Sequence, residues 1–266
     1  MNIEKLRNIL DSGGVVIGTC NYEDKNRQIG RIFANFGFDF LVIECEHGSF
    51  DLETVADMIT IAKLSGIVPI VKIGEYSYHT FARYLDAGAD GFVLPRIRQK
   101  QEVQQVMNWI NYYPDGVRGY SPGAPYCNYG FDIEDNCDHR QFIAKKNSNI
   151  FIIVQFETKD AIDNAEDILS VPGIDAVITG PCDLSMSMGI AGDLKNPILE
   201  EAVTKVFKAC KKYNVKVGNA FGDMEDVKKQ LDYGLQLIWW KGDIIFLKSS
   251  QKEVEDLREL IKGYKK

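Results

Sequence analysis

The sequence predicts an α/β fold, a (β/α)8 TIM barrel, on three observations. A phrase of helix end, glycine, polar residue and apolar run recurs along the chain. Its copies are Asn35-Phe36-Gly37-Phe38-Asp39-Phe40, Ala87-Gly88-Ala89-Asp90-Gly91-Phe92, Pro172-Gly173-Ile174-Asp175-Ala176-Val177 and Tyr233-Gly234-Leu235-Gln236-Leu237-Ile238. Glycine just past a helix takes the left-handed conformation that closes it, and the apolar run that follows reads as a strand buried on both faces. Eight such strands alternate with segments of helical spacing, the pattern of a parallel sheet covered by helices. The length of 266 residues matches one closed barrel. A doubly wound open sheet is the alternative, but the first strand carries Gly18-Thr19-Cys20-Asn21 and no GxGxxG follows it.

The strands read as 15–20, 38–45, 68–73, 91–97, 150–157, 176–183, 215–221 and 237–243. After the second, Leu52, Val55, Met58, Ile59 and Ala62 form a helical stripe, with Asp51 as its N-cap and Gly66 beyond its end. Val103, Val106 and Ile110 mark a short helix after the fourth strand. Ala161, Ile162, Ala165, Ile168 and Leu169 form a stripe after the fifth, and Ile198, Ala202, Val203, Val206, Phe207 and Cys210 form another behind Pro197. The whole chain, 1–266, reads as one barrel domain. Its abnormal feature is the connection between the fourth and fifth strands, about 114–149, which is rich in Pro, Gly and Tyr and shows no clean period. Connections this long in a compact domain are usually lids or interface arms.

Composition excludes several classes. At 45% hydrophobic and 26% charged the chain has the make-up of a globular protein, and its net charge of −7 gives no basic surplus for nucleic acid or an anionic membrane. The first ten residues lack the apolar core of a signal peptide, and no apolar run approaches the roughly 20 residues that span a bilayer. Six cysteines are scattered without CxxC spacing, which points away from a zinc site or a disulfide framework and towards a reducing cytoplasm.

In a barrel the chemistry sits at the carboxyl ends of the strands. There the sequence places Glu44-Cys45-Glu46-His47-Gly48, Lys72, Arg96, Gln155-Phe156-Glu157, Gly180-Pro181-Cys182-Asp183-Leu184-Ser185 and Lys241-Gly242-Asp243. Almost every strand delivers a polar or charged group to one rim. Glu157 and Asp183 would end adjacent strands about 5 Å apart. Two like charges that close need a proton or a cation between them, so the pair reads either as a shared-proton acid/base site or as a divalent metal site with oxygen ligands, suited to Mg²⁺, Mn²⁺ or Co²⁺. His47 follows a buried strand and suits proton transfer near neutral pH. The backbone opening the helix at Gly180 can hold a carboxylate. Cys182 is a nucleophile by position but has no local base. Lys72 or Lys241 would serve a Schiff-base mechanism instead of a metal.

At these residues the chain resembles the HpcH/HpaI aldolase family, the metal-dependent 2-oxo-acid aldolases. The resemblance runs from Val15 to about Leu247 and rests on Phe40 to Gly48, Leu85-Asp86-Ala87-Gly88-Ala89, Val117-Arg118-Gly119, Val154 to Glu157 and Gly180 to Ser185. It implies a barrel of the phosphoenolpyruvate/pyruvate type whose last helix is swapped between subunits of a homo-oligomer, often a hexamer. It implies a class II aldolase that joins pyruvate, as its enolate, to an aldehyde or cleaves the resulting 4-hydroxy-2-oxo acid. The implied metal ligands are Glu157 and Asp183, with Gln155 beside them. The implied catalytic residues are His47, Lys72 and the supporting Asp86. Gln155, Gly180, Pro181, Cys182, Ser185 and Arg118 are expected at the substrate, Arg118 as a residue of the arm shaping the aldehyde end. The family has arginine where this chain has Lys72, aspartate where it has Glu44, and small residues where it has Trp239-Trp240-Lys241, so the rim is expected to be reshaped. The alternatives are a related lyase acting on another 2-oxo acid or a CoA thioester, and a silent barrel that binds a sugar acid.

Overall fold

The structure, a computed structural model, describes residues 1–131, 133, 137–240 and 242–262. Its strands are β1 Val16–Asn21, β2 Phe40–Glu44, β3 Val68–Lys72, β4 Gly91–Leu94, β5 Phe151–Phe156, β6 Ala176–Thr179, β7 Lys216–Phe221 and β8 Leu237–Trp240. They form a closed parallel barrel in sequence order, and β1 pairs with β8 from Val16 opposite Leu237 to Thr19 opposite Trp240. The glycines of the recurring phrase, 37, 88, 173 and 234, all have φ between +87° and +99°. A side chain at those positions would be strained, which is why the same residue recurs before β2, β4, β6 and β8.

Alternation along each strand divides the apolar residues into two layers. Val16, Cys20, Phe40, Val42, Ile70, Val93, Ile153, Ile178, Leu237 and Trp239 fill the barrel interior. Leu41, Ile43, Val71, Phe92, Leu94, Val154 and Val177 face outward onto the helices, among them the expected stripe of Val55, Met58, Ile59 and Ala62 on the helix Leu52–Leu64. Each such side chain contributes about 1.5–3 kcal/mol by leaving water. The helix Ile3–Asp11 closes the amino-terminal end of the barrel with Ile3, Leu6 and Leu10. Arg7 on that helix clamps Asp175 at 3.0 Å and donates to the Ile150 carbonyl at 2.6 Å, just before β6 and β5 begin.

Three expectations change. Six strands end earlier at the carboxyl side than expected, while β1 runs one residue further and β7 ends where expected: β4 stops at Leu94 because Arg96 turns left-handed (φ +57°), and β6 stops at Thr179 because Pro181 opens the helix Pro181–Ser187. The connection 114–149 contains a 3-10 turn, Pro125–Gly130, and a helix, His139–Ser148. None of that helix's residues is buried, so it shows no apolar stripe. The tryptophans do not crowd the rim together. Trp239 packs inside the barrel opposite Gly18, and Trp240, one residue on, turns to the outer layer.

Among the described residues no helix is long and apolar enough to cross a membrane. The last helix, Ile244–Lys262, leaves Val254, Leu257, Leu260 and Ile261 between 50% and 59% exposed.

Candidate active site

The carboxyl-terminal rim gathers a charged cluster whose parts end or follow five consecutive strands, β2 to β6. Glu44 ends β2 directly opposite Lys72, the end of β3. That register brings Lys72 Nζ to 2.9 Å from Glu44 Oε2 and 2.7 Å from Glu46 Oε2, and both glutamates with Lys72 are withdrawn from solvent. Glu44 Oε1 accepts the backbone N–H groups of Glu46 (2.7 Å) and His47 (3.2 Å), so the buried carboxylate shapes the turn that presents the histidine. His47 itself is exposed, with Nε2 3.5 Å from Glu46 Oε2. Burial alone would lower the pKa of Lys72, but Glu44 and Glu46 outweigh it and the net direction is upward. Lys72 is therefore held as a cation. Lys241, the other expected Schiff-base lysine, lies outside the described residues.

Glu157 follows β5 and is 1% exposed. Arg96 N–H donates to its Oε1 at 2.6 Å, and Gln155 Nε2 donates to its Oε2. Its pKa is raised, chiefly by burial, against the Arg96 hydrogen bond and with the charges of Glu46 and Asp183 adding to the rise. Asp183 is not at a strand end. It sits on the first turn of the helix Pro181–Ser187, half exposed, with Arg96 Nη1 3.5 Å from its Oδ1. Arg96 thus touches both carboxylates, through its backbone on one and its guanidinium on the other. A left-handed residue that is not glycine is uncommon, and here that conformation aims its N–H at Glu157.

The residues fit a divalent cation, although no group of three metal-binding His, Cys, Asp or Glu side chains occurs among the described residues. Gln155 Oε1 is buried without a hydrogen-bond partner, next to a buried carboxylate whose charge burial disfavours. A Cβ at Gly180 would lie 2.7 Å from Glu157 Oε2 and 2.8 Å from Gln155 Nε2, so only glycine leaves this corner open. An uncompensated oxygen, a carboxylate pair and a bare backbone together suit a hard cation with water or substrate completing its shell.

Some expected substrate contacts are already committed. Gly180 N–H donates to the Phe156 carbonyl at 3.1 Å, and Pro181 has no N–H. Ser185 is buried, with its hydroxyl donating to the Cys182 carbonyl at 2.7 Å and accepting from Gly192 N–H at 3.0 Å. Of that segment, the exposed Cys182 and the Asp183 backbone remain on the rim. Asp86 and Arg118 lie elsewhere. Asp86 ends the helix Tyr78–Asp86, which runs back from β3 to the start of β4, so it sits at the amino-terminal end of its own barrel. There Arg118 Nη2 donates to Asp86 Oδ1 at 2.8 Å, and its guanidinium carbon lies 4.6 Å and 4.9 Å from the ring centroids of Tyr112 and Tyr126. Within one chain, neither reaches His47. Glu46 and Arg96 were visible in the sequence only as rim residues; their contacts depend on a register and a backbone conformation that no motif spells out.

A cavity of about 450 Å³ opens from this rim between the β3 and β4 loops, bounded at one end by Glu46 and Arg96.

Comparison with known proteins agrees with the barrel fold. Residues 22–243 match the HpcH/HpaI aldolase/citrate lyase family. The chain is 27% identical over 220 residues to a 5-keto-4-deoxy-D-glucarate aldolase of Escherichia coli O6:H1 (strain CFT073), which covers 83% of each protein. The crystal structure of an HpcH/HpaI aldolase from Desulfitobacterium hafniense DCB-2 superposes with a TM-score of 0.88 at 29% identity over 96% of both chains. A family protein from Burkholderia cenocepacia J2315, described as HpcH/HpaI aldolase/citrate lyase, gives 0.86 at 26% identity over 96% of this chain and 99% of its own. The chain belongs to the HpcH/HpaI aldolase/citrate lyase family, and it is an enzyme of the aldehyde-lyase class.

Proposed function

We propose that this enzyme is a class II, divalent-metal-dependent aldolase that forms or cleaves a 4-hydroxy-2-oxo acid, from pyruvate or a related 2-oxo acid and an aldehyde. The observation that carries the reading is the buried Glu157 carboxylate beside Asp183, with Gln155 Oε1 left unpartnered next to it. Glu157 and Asp183 would hold Mg²⁺, Mn²⁺ or Co²⁺, with Gln155 adjacent. Such a cation supplies Lewis-acid stabilisation of the negative charge that develops on the 2-oxo acid oxygens.

The chain's own residues do the remaining work. Backbone at Cys182 and Asp183 receives the substrate carboxylate. Lys72 keeps a fixed positive charge at the end of β3, as a point charge without the fork of an arginine. In cleavage, His47 takes the proton from the C4 hydroxyl. The C4–O bond becomes the aldehyde carbonyl, the C3–C4 bond breaks, and its electron pair passes to the pyruvate fragment as the enolate, which is then protonated at C3. Addition runs the same steps backwards.

Asp86 supports His47 only if a neighbouring subunit supplies it. We therefore read the enzyme as a homo-oligomer, of the hexameric kind with its last helix exchanged, a reading supported by the exposed apolar face of Ile244–Lys262. The test is pyruvate release from 4-hydroxy-2-oxo acids, followed by coupled reduction to lactate. Glu157→Gln and Asp183→Asn should each lower kcat on the order of a hundredfold or more. Full activity in either variant, or in protein stripped with EDTA, contradicts the proposal.

A further inference from the structure

The cavity beside the rim has a chemistry of its own. Its inner walls are the buried side chains of Ile73, Pro95 and Ile97, and its outer walls are the rings of Tyr76 and Trp109. At about 450 Å³ it falls within the size class of small-ligand sites. It meets the charged cluster at Glu46, which touches Lys72, and at Arg96, which touches Glu157 and Asp183.

Two polar groups along it are already spent. Tyr76 Oη donates to the Pro95 carbonyl at 2.5 Å, and Glu102 Oε2 accepts from Arg98 N–H (2.6 Å) and Gln99 N–H (3.0 Å) at the start of the helix Lys100–Ile110. The amides of Gln101 and Gln105 stand at the outer, exposed mouth. A polyhydroxylated chain entering here would lose water without gaining partners along the inner walls, a cost of about 1–3 kcal/mol for each unpaired hydroxyl. A hydrocarbon chain would gain from the same burial.

We propose that the gap between the β3 and β4 loops is the subsite for the aldehyde's tail, and that it selects an alkyl or aryl aldehyde over a hydroxylated one. This rests on the aldolase reading above. The 2-oxo acid head lies at Glu157 and Asp183, and the tail runs past Arg96 and Glu46 towards Trp109. Ile97 and Trp109 are then the specificity-determining side chains.

The experiment uses full-length protein with pyruvate and Mg²⁺, Mn²⁺ or Co²⁺. It measures kcat/KM for phenylacetaldehyde, hexanal and glyceraldehyde, with exchange of pyruvate methyl protons in D₂O followed in parallel. The apolar aldehydes should be preferred by about tenfold or more. Trp109→Ala should reduce that ratio severalfold. So should Gln105→Glu, which places a charge at the exposed mouth where folding is not at stake. A wild-type enzyme that exchanges protons but prefers glyceraldehyde, or a ratio unmoved by both substitutions, overturns the subsite alone. A wild-type enzyme that exchanges no protons with any metal overturns the aldolase reading and the subsite with it.

Discussion

Lys72 Nζ lies 2.7 Å from Glu46 Oε2, the same oxygen that stands 3.5 Å from His47 Nε2, so one carboxylate joins the strand-three lysine to the rim histidine. A Schiff base needs a neutral amine, and Glu44 and Glu46 hold Lys72 in its charged form. Borohydride reduction in the presence of pyruvate should therefore leave no adduct on Lys72 by peptide mass spectrometry. A reduced pyruvyl adduct there would show that the lysine, not a cation, activates the substrate.

The same ion pair has a structural cost when broken. Glu44 is fully buried, and Lys72→Met would leave it with backbone donors but no countercharge. The expected loss is about 3 kcal/mol in urea unfolding. The double variant Glu44→Gln/Lys72→Met should recover part of it, because the fully buried carboxylate is then neutral and only the less buried Glu46 loses its lysine. Equal stability in the single and double variants would mean that the pair contributes little.

Much of the barrel was legible because it is written locally. Gly37, Gly88, Gly173 and Gly234 end helices in the left-handed region, and the apolar runs after them became β2, β4, β6 and β8. Strand ends were less legible, since Pro95 and Ile97 continue the apolar run of β4 although Arg96 has already turned the chain. The helix His139–Ser148 left no periodic trace because none of its residues is buried. At the site, Glu157, Asp183 and His47 could be named from their places after strands. The bridge by Arg96 and the Lys72–Glu46 contact could not, because they arise from a backbone conformation and from register. Ser185 shows the converse: its motif position suggests a ligand contact, yet its hydroxyl is committed to Cys182 and Gly192.

Asp86 and His47 stand at opposite ends of one barrel, which makes sharing between subunits testable. Mixing His47→Ala with Asp86→Asn under conditions that exchange subunits should restore part of the activity each lacks, because some sites then combine an intact His47 with an intact Asp86. No recovery, despite demonstrated exchange by native mass spectrometry, would remove Asp86 from the site.

The clamp at the far end of the barrel predicts a pH dependence. Burial raises the pKa of Asp175, and Arg7 partly opposes that rise. A carboxyl whose folded pKa exceeds its unfolded value of about 3.9 binds its proton more tightly when folded, so its contribution to stability falls as pH rises through that interval. Removing Arg7 raises the folded value further and widens the interval. Arg7→Met should lose about 2 kcal/mol at neutral pH, with the deficit shrinking as pH is lowered and Asp175 takes up its proton. A deficit that is constant with pH would show that Arg7 acts only through its hydrogen bonds to the Ser148 and Ile150 carbonyls.

The central claim, that Glu157 and Asp183 hold a cation used to form the pyruvate enolate, is tested most directly by exchange of pyruvate methyl protons in D₂O, followed by NMR without any aldehyde. Exchange should stop with EDTA, return with Mg²⁺, Mn²⁺ or Co²⁺, and fail to return in Glu157→Gln. Exchange that persists in EDTA, or that Glu157→Gln supports as well as the wild type, would contradict it.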